Sequence, residues 1–319
     1  MLKCLVVFLM TTMTMFSGSL LGKSYPYSET TKLKHVVLEY IFQDEYSFGK
    51  KREISQLINK AFPEYVSIFG GLPRDLNDKP YRKIKVNVKQ GEYIGGEADP
   101  GVIQLTLSED VLFGFAGWKA IVLHELFHLW NAETIRYKSG LDQWFNEGFT
   151  EFYTYQVLTK LKLLTPKQAL NIALYPIGYY SSAKGLGKIS MRDAGKDNKS
   201  KFDHYFLIYH GGWVAAMVLD YRVRKDSNNK QSLDSLMKWL YKNFVRSKKL
   251  YTIGDIIAGL KETTGFDYRQ FFSRYISGTE VIPIADYFNL GKIIWTETFE
   301  QIHSRDHEYL FWTLGIRAK

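Results

Sequence analysis

Residues 121–152 read IVLHELFHLWNAETIRYKSGLDQWFNEGFTEF, and the spacing of their polar side chains carries the fold assignment. His124 and His128 stand four residues apart in an apolar run that holds neither Gly nor Pro. On a helix this separation leaves two side chains only about 40° apart around the axis, so both imidazoles project from one face and can share a cation. Glu125 cannot readily join the same ligand set, but it can reach a water beside that cation and take its proton. Catalytic zinc sites commonly use three protein ligands and keep one position open. Glu147, after eighteen intervening residues and at the start of the next predicted helix, supplies the third. A turn at residues 138–140 lets the two helices run antiparallel and brings it back to the histidines. The spacing therefore predicts one zinc ion per chain, held by His124, His128 and Glu147, with Glu125 as general base.

Outward from this segment, the periodicity changes character. Before it, short β-type runs at residues 34–42, 83–88 and 102–107 flank a helical pattern over 51–69. After it the pattern is almost wholly helical: about 142–161, 165–173, 201–224, 232–244, 252–264 and 268–276. Strands followed by helices predict an α+β fold, with a mixed β-sheet in the N-terminal part and a helical C-terminal part. The expected organisation is a sheet-containing subdomain with the active-site helix (23–134), a helical subdomain (135–290) and a C-terminal extension (291–319). The Ser-, Gly- and Lys-rich stretch 181–201 reads as a long exposed loop.

Residues 4–22 are uncharged and follow Lys3, with small residues at Ser17, Gly18 and Ser19. Residues 1–22 thus read as an export signal, placing the protein in the periplasm or outside the cell, or anchored to the membrane if the segment stays uncleaved. Cys4, the sole cysteine, leaves with the signal, which excludes disulfides and thiolate chemistry from the mature chain. Lys and Arg exceed Asp and Glu by 42 to 33, for a net charge of +9. The basic residues fall in short scattered clusters, which argues against a nucleic-acid partner and leaves transient contact with an anionic envelope surface.

The segments HELFHLWN (124–131), WFNEGFTEFY (144–153), YHGGWVAAMVLDYRVR (209–224) and FFSRYISGTEVIP (271–283) together resemble the glycyl aminopeptidase family of gluzincin metallopeptidases, relatives of the alanyl aminopeptidases. The resemblance covers about residues 50–290. It implies a thermolysin-like gluzincin catalytic domain that hydrolyses peptide bonds of a peptide or protein substrate. It also implies that Glu151, one turn after Glu147, orients a ligand histidine, and that Tyr209, just before Gly211 and Gly212, donates to the oxyanion. His204 and His210 are expected to be structural, or to support a ligand from behind, rather than to be ligands.

Two departures shape the expected specificity. Alanyl aminopeptidases carry a G-x-M-E-N motif whose Glu recognises the substrate amine; here residues 95–99 read GGEAD, with Ala98 at that position and Glu97 displaced by one. The residues before His124 are expected to be too few for both the large N-terminal β-domain of relatives and the sheet of the catalytic part, and the C-terminal PDZ module common in the glycyl family is expected to be absent. Both favour endopeptidase action on an open cleft, with aminopeptidase action of the glycyl or alanyl type as the alternative. The strand at 102–107 is the expected edge for an extended peptide, which makes Glu97, Val102 and Gln104 the substrate-binding candidates. An inactive zinc-binding recognition module is the rival from another class, against which the intact Glu125 argues.

Overall fold

The computed structural model describes residues 27–108, 117–164, 166–245, 249–287, 293–304 and 307–318; the expected leader lies outside them. Strands β1 (Ser28–Leu33), β2 (Val36–Phe42), β3 (Lys83–Gln90), β4 (Gly95–Asp99) and β5 (Val102–Leu107) form one sheet in the order β1-β2-β3-β5-β4. The pairs β2/β3 and β3/β5 are parallel, while β1/β2 and β4/β5 are antiparallel. The sheet is mixed, as expected. Alternation sends Leu38, Tyr40, Ile84, Val86, Ile103 and Leu105 to one buried face. The opposite face carries Lys83, Lys85, Asn87 and Gln104.

After the short α1 (Glu45–Gly49), helix α2 (Lys51–Phe69) lays the apolar stripe Ile54, Leu57, Ile58, Ala61, Phe62 and Tyr65 into the core and stops at Gly70, whose φ of 78° closes the helix. Helix α3 (Trp118–His128) packs on it. The Tyr65 hydroxyl donates to the Leu123 carbonyl at 3.1 Å, and Trp130 Nε1 donates to the Gly71 carbonyl at 2.8 Å. Without such partners these buried polar groups would each cost about 1–3 kcal/mol. Both bonds therefore fix where the metal-binding helix lies.

The remainder is helical: α4 (Gln143–Lys160), α5 (Pro166–Ser181), α6 (Met191–Ala194), α7 (Asn198–Asp203), α8 (Tyr205–Asp226), α9 (Leu233–Phe244), α10 (Ile253–Thr264), α11 (Arg269–Phe271), which runs into a π-turn over Phe272–Ile276, and α12 (Ile284–Tyr287). A separate antiparallel pair, β6 (Ile293–Ser304) with β7 (His307–Ala318), follows. No helix among the described residues is long and apolar enough to cross a membrane.

Two expectations need correction. The strand β5 is not an edge: it is bonded to β3 on one side and β4 on the other, so β4 forms the rim. Nor is 181–201 simply an exposed loop, because α6 and part of α7 lie there, with Ser190, Met191, Ala194 and Ser200 buried. Polar N-caps start these short helices: the Ser190 hydroxyl accepts from the Asp193 backbone N–H and the Asp197 carboxylate from that of Ser200.

Candidate active site

Helix α3 is apolar on nearly every side, and residues 122–128 are all buried, so its two histidines and one glutamate are desolvated together. His128 Nδ1 lies 3.2 Å from the Asn131 backbone carbonyl. A carbonyl only accepts, so Nδ1 carries the proton and Nε2 presents its lone pair. His124 Nδ1 lies 3.2 Å from Glu151 Oε1, an acceptor that favours the same tautomer. The two Nε2 atoms then face each other at 2.9 Å, with Glu147 Oε2 at 3.4 and 3.5 Å from them. Lone pairs opposed at that distance repel unless a proton or a metal cation lies between them. The donor atoms of His124, His128 and Glu147 are within 4.8 Å of one another and form the one such group among the described residues. Two imidazole nitrogens and a carboxylate oxygen suit zinc, so these residues fit the expected ion.

Glu147 reaches the histidines because α4 returns antiparallel to α3. Asn131 Nδ2 donates to the Asn146 carbonyl at 3.1 Å and to Thr150 Oγ1 at 3.3 Å, joining the end of α3 to the first turns of α4. On its far side α4 meets α8 backbone to backbone. A Cβ on Gly148 would collide with Gly212, and one on Gly212 with the Trp144 carbonyl. This contact explains the Gly211-Gly212 pair inside a helix and brings Tyr209 to the metal group, its ring near-parallel to that of His124 with centroids 6.5 Å apart. His210, by contrast, packs among Tyr175, Tyr179 and Phe206, and burial lowers its pKa to about 4; it is structural.

The surroundings tune the groups differently. Burial raises the Glu125 pKa, offset in part by His124 and His128. Burial would also raise that of Glu147, but Lys201 and the two histidines outweigh it and hold this carboxyl well below its ordinary range. Burial, with Glu147 and Tyr205 nearby, raises Tyr209 far above the usual phenol range, so it keeps the proton a donor needs. Glu125 itself rests against the rim strand: a Cβ on Gly96 would run into Glu125 Cγ and come within 2.9 Å of its Oε1.

That contact settles which side of β4 faces the site. Gly96 and Ala98 point toward α3, while Glu97, paired with Gln104 in register, is exposed on the other face. Gln104 accepts from Asn87 Nδ2 at 3.0 Å on that same face, and Val102 shares it by alternation. Glu97, Val102 and Gln104 are therefore turned away from Glu125, and the rim that a substrate can reach is the backbone of β4. Three features had no separate signal in the sequence reading: Asn131, Gly96 and Lys201. Lys201 Nζ lies 2.7 Å from Glu147 Oε1. For Asn131, its place directly after the second histidine's apolar turn was the available cue.

Residues 118–234 match the family model of the M61 glycyl aminopeptidases, a segment that contains every ligand, Glu125, Glu151 and Tyr209. This is a gluzincin-type metal site. Over that segment the match agrees with the resemblance drawn from the motifs, and the His124, His128 and Glu147 group agrees with the expected place of one metal ion. A search of curated proteins finds no match. Among solved structures, the fold is similar to that of an aminopeptidase N family protein from Idiomarina loihiensis, with a TM-score of 0.72 at 17% identity over 85% of this chain and 50% of that one. An M1 zinc metallopeptidase from Deinococcus radiodurans gives 0.58 at 14% identity, over 81% and 53%. Legionella pneumophila aminopeptidase A in complex with aspartic acid gives 0.56 at 15%, over 86% and 29%. These likenesses show the α+β fold that this chain shares with those proteins. The chain spans about half the length of the first two.

Proposed function

We propose that this chain is a zinc-dependent aminopeptidase of the glycyl or alanyl type, exported by way of residues 1–22. The observation that carries the reading is the convergence of His124, His128 and Glu147 with Glu125 and Tyr209 inside the segment that matches the glycyl aminopeptidase model. The endopeptidase preference expected from Ala98 finds no support among the relatives. A point mutant of an M1 zinc metallopeptidase from Deinococcus radiodurans has been solved with a bound Tyr-Ser-Ala substrate, which favours short peptides as the substrate class.

Bound in this group, zinc supplies Lewis acidity toward a water and the scissile carbonyl. Glu125 takes the proton from the attacking water on its carboxylate and passes it to the leaving amine, and burial, which raises its pKa, strengthens it as the acceptor. The Tyr209 hydroxyl donates to the oxyanion as negative charge develops there. The substrate backbone lies along β4, where Gly96 leaves room for Glu125 and an edge strand offers unpaired N–H and C=O groups.

A matched pair of free and N-acetylated peptides, followed by mass spectrometry, tests the mode. Stepwise loss of single residues from the free peptide, with the acetylated one cut at least ~10-fold more slowly, is expected when an amine must be gripped in a desolvated site. Internal cleavage of both at similar rates would restore the endopeptidase reading.

A further inference from the structure

Lys201 sits inside the metal site although it belongs to no metal-binding motif. Its ammonium lies 2.7 Å from Glu147 Oε1 and 3.0 Å from Gln143 Oε1, and 5.4 Å from the Tyr209 ring centroid. Gln143 is held in turn, its Nε2 donating to the Tyr137 hydroxyl at 2.9 Å. The lysine is thus fixed between two acceptors rather than left to sweep the surface.

The segment that delivers it is anchored at several points. Gly140 and Gly195 approach so closely that a Cβ on either would strike the carbonyl of the other. Asp197 caps α7, and the Ser200 hydroxyl donates to the Asp193 carbonyl at 3.3 Å. Backbone contact at 140/195 and a capped helix together place residue 201 beside residue 147, far away in sequence.

The two oxygens of Glu147 therefore do different work. Oε2 faces both histidine Nε2 atoms, and Oε1 faces the lysine. With a neutral side chain at 201, Oε1 would be a buried anionic oxygen without its partner, and the nearest compensating charge would be the metal itself. Turning the carboxylate to meet the metal with both oxygens takes up coordination space that the water and the substrate carbonyl need.

We propose that Lys201 is a positioning residue that confines Glu147 to one-oxygen ligation and so keeps the metal's open position free. The proposal rests on the metallopeptidase reading of the site but not on its exopeptidase mode. It separates metal retention from turnover, because the lysine guards the open position rather than the metal. Packing alone would not separate them.

The test compares wild type, Lys201→Met and Lys201→Arg, each loaded with one equivalent of Co²⁺ in place of zinc, and separately measures zinc loss to a chromophoric chelator. Higher coordination weakens the visible absorption of Co²⁺. The expected result for Lys201→Met is a weaker visible band, zinc loss no faster than wild type, and kcat lowered about 10-fold or more with a smaller change in KM, the range typical of ligand-orienting contacts. Lys201→Arg, which keeps the cation, should recover most of the band and the rate. An unchanged cobalt band in Lys201→Met, or zinc lost faster from it, would overturn the proposal. Should Lys201→Met fail to fold, Lys201→Gln carries the same expectation and the same contrary result. The cobalt arm reads ligation whether or not a peptide is cut, so a wild type that binds metal without cleaving would count against the proposed function alone.

Discussion

Glu125 and Glu147 are both buried carboxylates, and their neighbours set them to opposite tasks. Glu147 has two histidines and Lys201 around it and stays ionised, as a ligand must. Glu125 has Gly96 on one side, and burial raises its proton affinity, the direction that favours accepting a proton. Glu125→Gln keeps the shape and removes the base. Zinc content should be unchanged while peptide hydrolysis falls at least ~100-fold, the lower range for loss of a general base. Tyr209→Phe should likewise retain zinc and lose about 10²-fold in kcat, measured with a short free peptide, since one oxyanion donor is removed. Equal turnover would make Tyr209 an ordinary core aromatic. At this scale the shared face of His124 and His128, with Glu125 beside them, was legible in the sequence, because two residues four apart on a helix need no tertiary information to be read as one face. Lys201 was not. Its meeting with Glu147 depends on a tertiary contact between Gly140 and Gly195, in a stretch whose composition carries no periodicity.

Elements matter through their backbones here. Helices α4 and α8 cross where Gly148 meets Gly212, and this crossing holds Glu147 and Tyr209 in one site. Alanine in place of a mid-helix glycine ordinarily gains about 1 kcal/mol. A Cβ forced into a facing backbone costs about 1–3 kcal/mol and more where nothing can yield, so the collision wins. Gly212→Ala should therefore lower the thermal midpoint and cut turnover; a midpoint equal to or above wild type would show that the helices do not meet so closely. The Gly211-Gly212 pair carried no sign in the sequence of which helix it would meet. Strand β4 was missed for a related reason. Gly95 and Gly96 have no strand propensity, and only pairing with β5 makes that segment extended. With β4 unseen, β5 looked like the rim, and Val102 and Gln104 were assigned to a face that turns away from the site.

For the molecule as a whole, the mixed sheet and α2 form a base on which α3 is fixed, and the C-terminal helices bring α4, α8 and Lys201 against it. The order of strand-like and helical patterns was enough to predict an α+β chain, since layer architecture follows from that order. A ligand that binds only the folded state stabilises it, by about 4 kcal/mol when present at a thousand times its dissociation constant. Adding zinc to chelator-stripped protein should raise the thermal midpoint by on the order of 10 °C, given ~2–4 °C per kcal/mol for larger domains. The same addition should leave His128→Ala unmoved. The metal assignment underlies every other expectation, and elemental analysis of protein purified with zinc present tests it most directly. One zinc per chain in wild type, sharply reduced in His128→Ala, is the predicted result; no zinc in wild type, or an undiminished content in His128→Ala, would contradict it.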